Sequence, residues 1–240
     1  MPTEPELWHI RCASRLLEGS ERTPTELNPL HYLLINGTEL LALCCWWWCV
    51  RNQGGALRLL GLQLLLTNVV EILALHPALL PVLVPMYNIY LLFDLVLMSW
   101  MLARFHPPLR PWAIGTSALL AVLWALETAW FGISAWFNIL FLLTSALAIC
   151  AMSSVALWHL SQVERAPLQR SPLFWLLLGT VLYFGGIAPV FSSYNYLAKH
   201  GDIMSGQLYW IVRVLCAVRY LSVAWACIQW RRESNTAALA

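Results

Sequence analysis

The sequence predicts an all-α polytopic membrane protein, a seven-transmembrane-helix bundle with its N-terminus outside and its C-terminus inside. Three observations predict it. Seven apolar stretches, each close to the roughly 20 residues a helix needs to cross about 30 Å of hydrocarbon, fill most of the 240 residues. Sixty per cent of the chain is apolar and only 11% charged, too little charge for an ordinary soluble domain. The arginines of the short loops fall on alternate connections, all on one side.

The spans follow from unbroken hydrophobic length, in the order Leu30 to Val50, Leu57 to Leu75, Leu79 to Ala103, Pro111 to Trp130, Ile133 to Leu160, Pro172 to Leu197 and Gln207 to Trp230. None shows the period-2 alternation of a barrel strand, which would need only about ten residues. Pro81, Pro111 and Pro172 stand near helix starts, where a missing N–H matters least, and Ser171 is positioned to cap the sixth helix. Pro189, one turn after Gly185 and Gly186, predicts a bend or break in the outer half of that helix, and Pro85 a kink in the third.

Residues 1–29 form an N-terminal tail. Thr3 and Glu6 have capping-box spacing, and Leu7, Ile10 and Leu17 share a helical face interrupted by Ser14, which suggests an interfacial amphipathic helix. Residues 30–230 are the transmembrane domain and 231–240 a short cytoplasmic tail, of which Glu233 to Ala240 is expected to be unstructured.

Orientation comes from Arg51, Arg58, Arg104, Arg110, Arg165, Arg170, Arg231 and Arg232, which share one side and mark it as cytoplasmic. The opposite loops carry only Lys199, and the tail is net acidic. Trp46 to Trp48, Trp100, Trp112, Trp158, Trp175 and Trp230 mark the inner interface, and Trp130, Trp136 and Trp210 the outer one. The bilayer is therefore the first partner. A formal charge of +2 with dispersed basic residues argues against nucleic acid. Six of the seven cysteines lie within apolar spans without metal-ligand spacing and read as small hydrophobes.

The informative residues are ionisable groups at membrane depth, each costing several kcal/mol unless paired, neutralised or wetted. Glu39, Asp94 and Arg219 fall near the midplane, where Arg219 demands an acidic partner and either Asp94 or Glu39 is suitable. Glu71, Glu127 and Arg213 fall in the outer third. With Tyr87, Asn88 and Asn138 they make a candidate ligand-binding or charge cluster, in which Arg213 would meet Glu71 or Glu127. The bland alternative for both sets is helix glue, polar pairs that hold register without a ligand.

Specific chemistries fail on residue type. Retinal needs a lysine in the last helix, and the sole lysine is Lys199, in a loop. Haem needs facing histidines deep in helices, whereas His31, His76, His106, His159 and His200 lie near helix ends. The pattern of histidines and aspartate used by zinc-dependent membrane hydrolases is missing, and Ser153-Ser154 has no base nearby in sequence. No catalytic residue, metal ligand or cofactor is assigned, and the sequence leaves enzymatic activity open while favouring a non-enzymatic role.

Two segments, Met86-Tyr87-Asn88-Ile89-Tyr90-Leu91-Leu92-Phe93-Asp94 in the third span and Ser171-Pro172-Leu173-Phe174-Trp175 followed by Gly179, Tyr183, Phe184 and Gly185 in the sixth, carry a resemblance. They resemble a set of short seven-helix bacterial membrane proteins, themselves similar to the seven-transmembrane sensor regions of some histidine kinases. The resemblance implies a multi-pass inner-membrane sensor or receptor-like signalling module. The segment after Arg232 is expected to be too short for an effector domain, so signalling would run through a separate cytoplasmic or membrane partner. The alternatives are a proton-coupled transporter of a small solute, using Asp94, Glu39 and Arg219, and a structural subunit of a membrane complex.

Overall fold

The structure, a computed structural model, describes residues 29–74, 76, 79, 82–133, 139–163, 167–200 and 205–239, with side chains described within 36–74, 76, 79, 82–133, 140–163, 167–193 and 210–236. The tail helix suggested for residues 1–29 lies outside them, as does Asn138. Seven α-helices appear among the described residues: α1 (Pro29–Cys49), α2 (Gly55–Ala74), α3 (Leu83–Phe105), α4 (Arg110–Phe131), α5 (Ile139–Val163), α6 (Pro172–His200) and α7 (Ser205–Leu239). Six of them, α2 to α7, are long and apolar enough to cross a membrane. The chain is accordingly an all-α, multi-pass membrane protein.

Successive helices pack on one another, α7 closes the ring against α1, and α3 reaches across to α5. The distribution of side chains is inverted relative to a soluble bundle. Trp48, Trp112, Trp130, Leu126, Leu140 and Leu147 are exposed, whereas Glu39, Gln63, Asn68, Asn88, Asp94, Glu127 and Arg219 are buried. Lipid makes that arrangement favourable, because apolar surface needs no burial there and every polar group does. Helix α4 is the most peripheral. Only Ala113, Leu120 and Glu127, seven residues apart, are buried along it.

The Arg-bearing loops gather at one end, and specific contacts tie them together. Gln53 Nε2, in the α1–α2 loop, donates to Ser234 Oγ of α7 at 2.7 Å. The Phe105 ring at the end of α3 stacks on Trp230 of α7 at 5.7 Å. His106, after α3, lies 4.6 Å from the ring of His159 near the end of α5. Arg51 sits over the Trp47 ring at 4.7 Å, a cation–π contact at the same end.

Some helix limits differ from those read in the sequence. α3 begins at Leu83 and not at Leu79, since Leu79 and Val82 sit in 3-10 turns among closely spaced prolines. Ile133, the start read for the fifth span, is not helical: α4 ends on Gly132 at φ 82°, a left-handed conformation suited to glycine, the turn continues into Ile133, and α5 is described from Ile139. Of the bend or break expected in α6, the break is absent, because the helix continues through Pro189. Proline removes a single helical bond, to the carbonyl of Gly185, and the surrounding turns remain bonded. α7 extends to Leu239, nine residues past the expected end at Trp230, so the segment read as an unstructured tail is helical through Leu239. There Ser234 Oγ donates to Trp230 O at 2.9 Å while accepting from Gln53, giving the extension a tertiary contact.

Small residues set the closest helix approaches. An added Cβ at Gly61 would overlap the indole of Trp46, whose Nε1 donates to Leu57 O at 2.7 Å and clips α1 to the start of α2. On α6, a Cβ at Gly179 would lie 2.6 Å from Ser222 Cβ, and one at Gly186 would lie 2.6 Å from a Leu215 methyl. Seven residues separate each pair of positions on the two antiparallel helices, so they form one seam. Gly179→Val should therefore destabilise the bundle by about 1–3 kcal/mol through overpacking. Gly185→Ala, whose Cβ meets Cys150 Sγ at an ordinary 3.5 Å, should be tolerated. Thermal unfolding of the two purified variants in detergent checks the contrast.

Candidate functional site: a buried arginine and its polar shell

Arg219 on α7 and Asp94 on α3 meet in the bundle interior, each about 4% exposed, with Nη2 3.7 Å from Oδ2. Asp94 is mid-helix, so its carboxylate cannot use a helix terminus and depends on side chains from neighbouring helices. Gln63 on α2 supplies one, its Nε2 donating to Asp94 Oδ1 at 2.6 Å. Both carboxylate oxygens are thus engaged, one by a cation and one by a neutral donor.

Aromatic rings occupy the rest of the arginine's surroundings. The guanidinium carbon lies 4.8 Å from the Tyr183 ring and 5.1 Å from Phe184, both on α6, and 5.5 Å from Tyr220 on α7. A desolvated guanidinium gains up to about 2 kcal/mol from such a ring. Thr67 Oγ1 donates to its own helix at Gln63 O at 3.0 Å and lies 2.9 Å from Tyr90 Oη, linking α2 to α3 one turn from the ion pair. Beside Arg219 is a cavity of about 10 Å³, lined in part by Gln63, Thr180, Met98 and Tyr220, with room for about one water.

Glu39 of α1 is the third midplane residue. It is 3% exposed, within electrostatic range of Arg219, Asp94 and Glu71, and its Oε2 has no hydrogen-bond partner among the described residues. Of the two acids suited to Arg219, Asp94 makes the close contact.

Of the six residues read as one outer cluster, the five that the structure describes separate into two groups with different surroundings. Tyr87 Oη donates to Glu71 Oε1 at 2.9 Å, bridging α3 and α2, and Arg213 of α7 lies within electrostatic range of Glu71. Glu127 does something else. Its Oε1 and Oε2 accept the backbone N–H groups of Leu140 and Phe141, each at 2.9 Å, so the carboxylate caps the first turn of α5. Asn88 Nδ2 donates to Ile133 O at 3.2 Å, and Asn88 O accepts from Trp124 Nε1 at 2.9 Å, which anchors the α4–α5 connection to α3.

Several participants were not singled out from sequence as site residues: Gln63, Thr67, Tyr90 and Tyr220. Gln63 carried a usable signal, as an amide inside a run of leucines from Leu59 to Leu66, where an unsatisfied amide is unfavourable. Tyr220 carried none, since a tyrosine beside an arginine in sequence is placed over the same guanidinium only by its rotamer.

Two outcomes follow. Arg219→Met leaves Asp94 buried without its cation and should cost about 3–5 kcal/mol, whereas Arg219→Met combined with Asp94→Leu should recover most of that loss, read by thermal unfolding in lipid nanodiscs. At the arginine-bearing end, burial and then the neighbouring His159 hold His106 below its ordinary value of 6.5. The unfolded chain then binds the proton more readily, so stability from this contact is present above about pH 6.5 and declines as pH falls below it. His159→Ala should weaken that acid dependence, measured as the pH profile of the unfolding midpoint.

The chain matches no protein-family model, no curated protein and no solved structure, and its own geometry is the basis for function.

Proposed function

We propose that the protein is a seven-span sensor or receptor-like module of a bacterial inner membrane, with its N-terminus outside and its arginine-rich end in the cytoplasm. In this reading α1 crosses the bilayer with the other six helices, and the basic loops are retained inside by the positive-inside rule. The resemblance of the third and sixth helices to short seven-helix bacterial proteins, similar in turn to sensor regions of histidine kinases, points the same way. A separate cytoplasmic partner would read the arginine-bearing end.

The observation that carries the proposal is the continuous polar linkage across helices: Gln63 on α2, Asp94 on α3 and Arg219 on α7, packed against Tyr183 and Phe184 of α6. These helices continue to the end where Phe105 stacks on Trp230 and Gln53 bonds Ser234. A shift in one partner of the linkage would move helices that meet at the cytoplasmic rim. The Glu71–Tyr87 contact, near Arg213, is the place where a signal from the outer side would enter.

A switch of this kind has two arrangements whose populations depend on the outer contact. Spin labels at Asn52 and Arg231, both exposed, report the spacing of α1 and α7 at the arginine-bearing end. Glu71→Gln in the reconstituted protein should redistribute that distance while the fold is retained. An unchanged distribution in a folded variant would favour the structural-subunit reading.

A further inference from the structure

We propose that Glu39 is a proton-exchange site built into the bundle core beside the Arg219–Asp94 pair. The case is one of charge accounting in a medium that does not tolerate an unpaired ion. Three carboxyl groups, Glu39 on α1, Glu71 on α2 and Asp94 on α3, interact electrostatically with one another or with Arg219 and Arg213 of α7. Asp94 has Gln63 on one oxygen and Arg219 by the other. Glu71 accepts from Tyr87 and has Arg213 in range.

Glu39 is the carboxyl left over. It is as buried as Asp94, and its Oε2 meets no donor among the described residues. The described groups that reach it electrostatically are Glu71 from α2, Asp94 from α3, and Arg219, Cys216 and Tyr220 from α7. Arg219 is the one cation in that set, and Asp94 already holds it. An ionised carboxylate in such a place carries an uncompensated desolvation penalty, and a proton removes it without any new partner.

The consequence is a two-state core. With its proton, Glu39 is neutral and Arg219 belongs to Asp94. When the proton leaves for solvent, Glu39 becomes a second acid competing for the same guanidinium, which pulls α7 toward α1 and away from α3. The ligand is a proton, and the site stands whether or not the bundle passes a signal to a partner.

Infrared difference spectroscopy of the full chain in lipid nanodiscs tests this. Wild type should show one protonated-carboxyl C=O band that decreases as pH is raised, is lost in Glu39→Gln and is retained in Glu71→Gln. Glu39→Asp should shift the band without removing it. Glutamine is the neutral isostere of the protonated acid, so a Glu39→Gln chain that does not fold overturns the proposal. Identical carboxyl spectra in wild type and Glu39→Gln overturn it too, as does loss of the band in Glu71→Gln instead. A band constant at every pH the protein withstands removes the exchange, and a band that responds to sodium at fixed pH reassigns the site to a metal cation.

Discussion

An arginine cannot be neutralised inside hydrocarbon, so wherever Arg219 goes an acid must follow. That constraint organises the centre of the bundle. Asp94 brings α3 to α7, Gln63 brings α2 to α3, and the rings of Tyr183 and Phe184 place α6 over the guanidinium. Four helices are thereby held in a single register by one charge. The close α6–α7 seam at Gly179 and Gly186 is what allows the rings to lie that near.

Lipid supplies no hydrophobic drive between helices, so association rests on packing and polar contacts. The division of labour along the chain reflects this. α4 buries only a narrow stripe, and its most polar buried residue, Glu127, caps α5 instead of joining the central network. Asn88 performs a related task by holding Ile133 and Trp124. These are register devices, the role that helix glue describes. The Arg219 shell differs in kind, because it contains a carboxyl, Glu39, whose Oε2 no described residue satisfies.

The candidate site was partly legible in the sequence. Arg219, Asp94 and Glu39 stood out because charge in an apolar span is rare and expensive, and equal distance from the span ends placed them at one depth. The same reasoning put Glu71, Glu127 and Arg213 at one level. Depth does not say which way a side chain points around the helix axis. Glu127 turns toward the start of α5 and Glu71 toward Tyr87, a difference that hydropathy along the chain does not encode.

What the sequence by itself determined is the class of protein and the existence of most helices, since length and apolarity are one-dimensional and the bilayer thickness sets their scale. It also placed the arginine loops together, because antiparallel succession leaves alternate connections at the same end. The tertiary structure decided the partners: Asp94 and not Glu39 for Arg219, Gln63 for Asp94, and backbone N–H groups for Glu127. It also carried α7 on to Leu239, where Ser234 meets Gln53. Pairing depends on helix rotation and close approach, which arise only when glycines, rings and ionic groups from several helices compete for the same few ångströms.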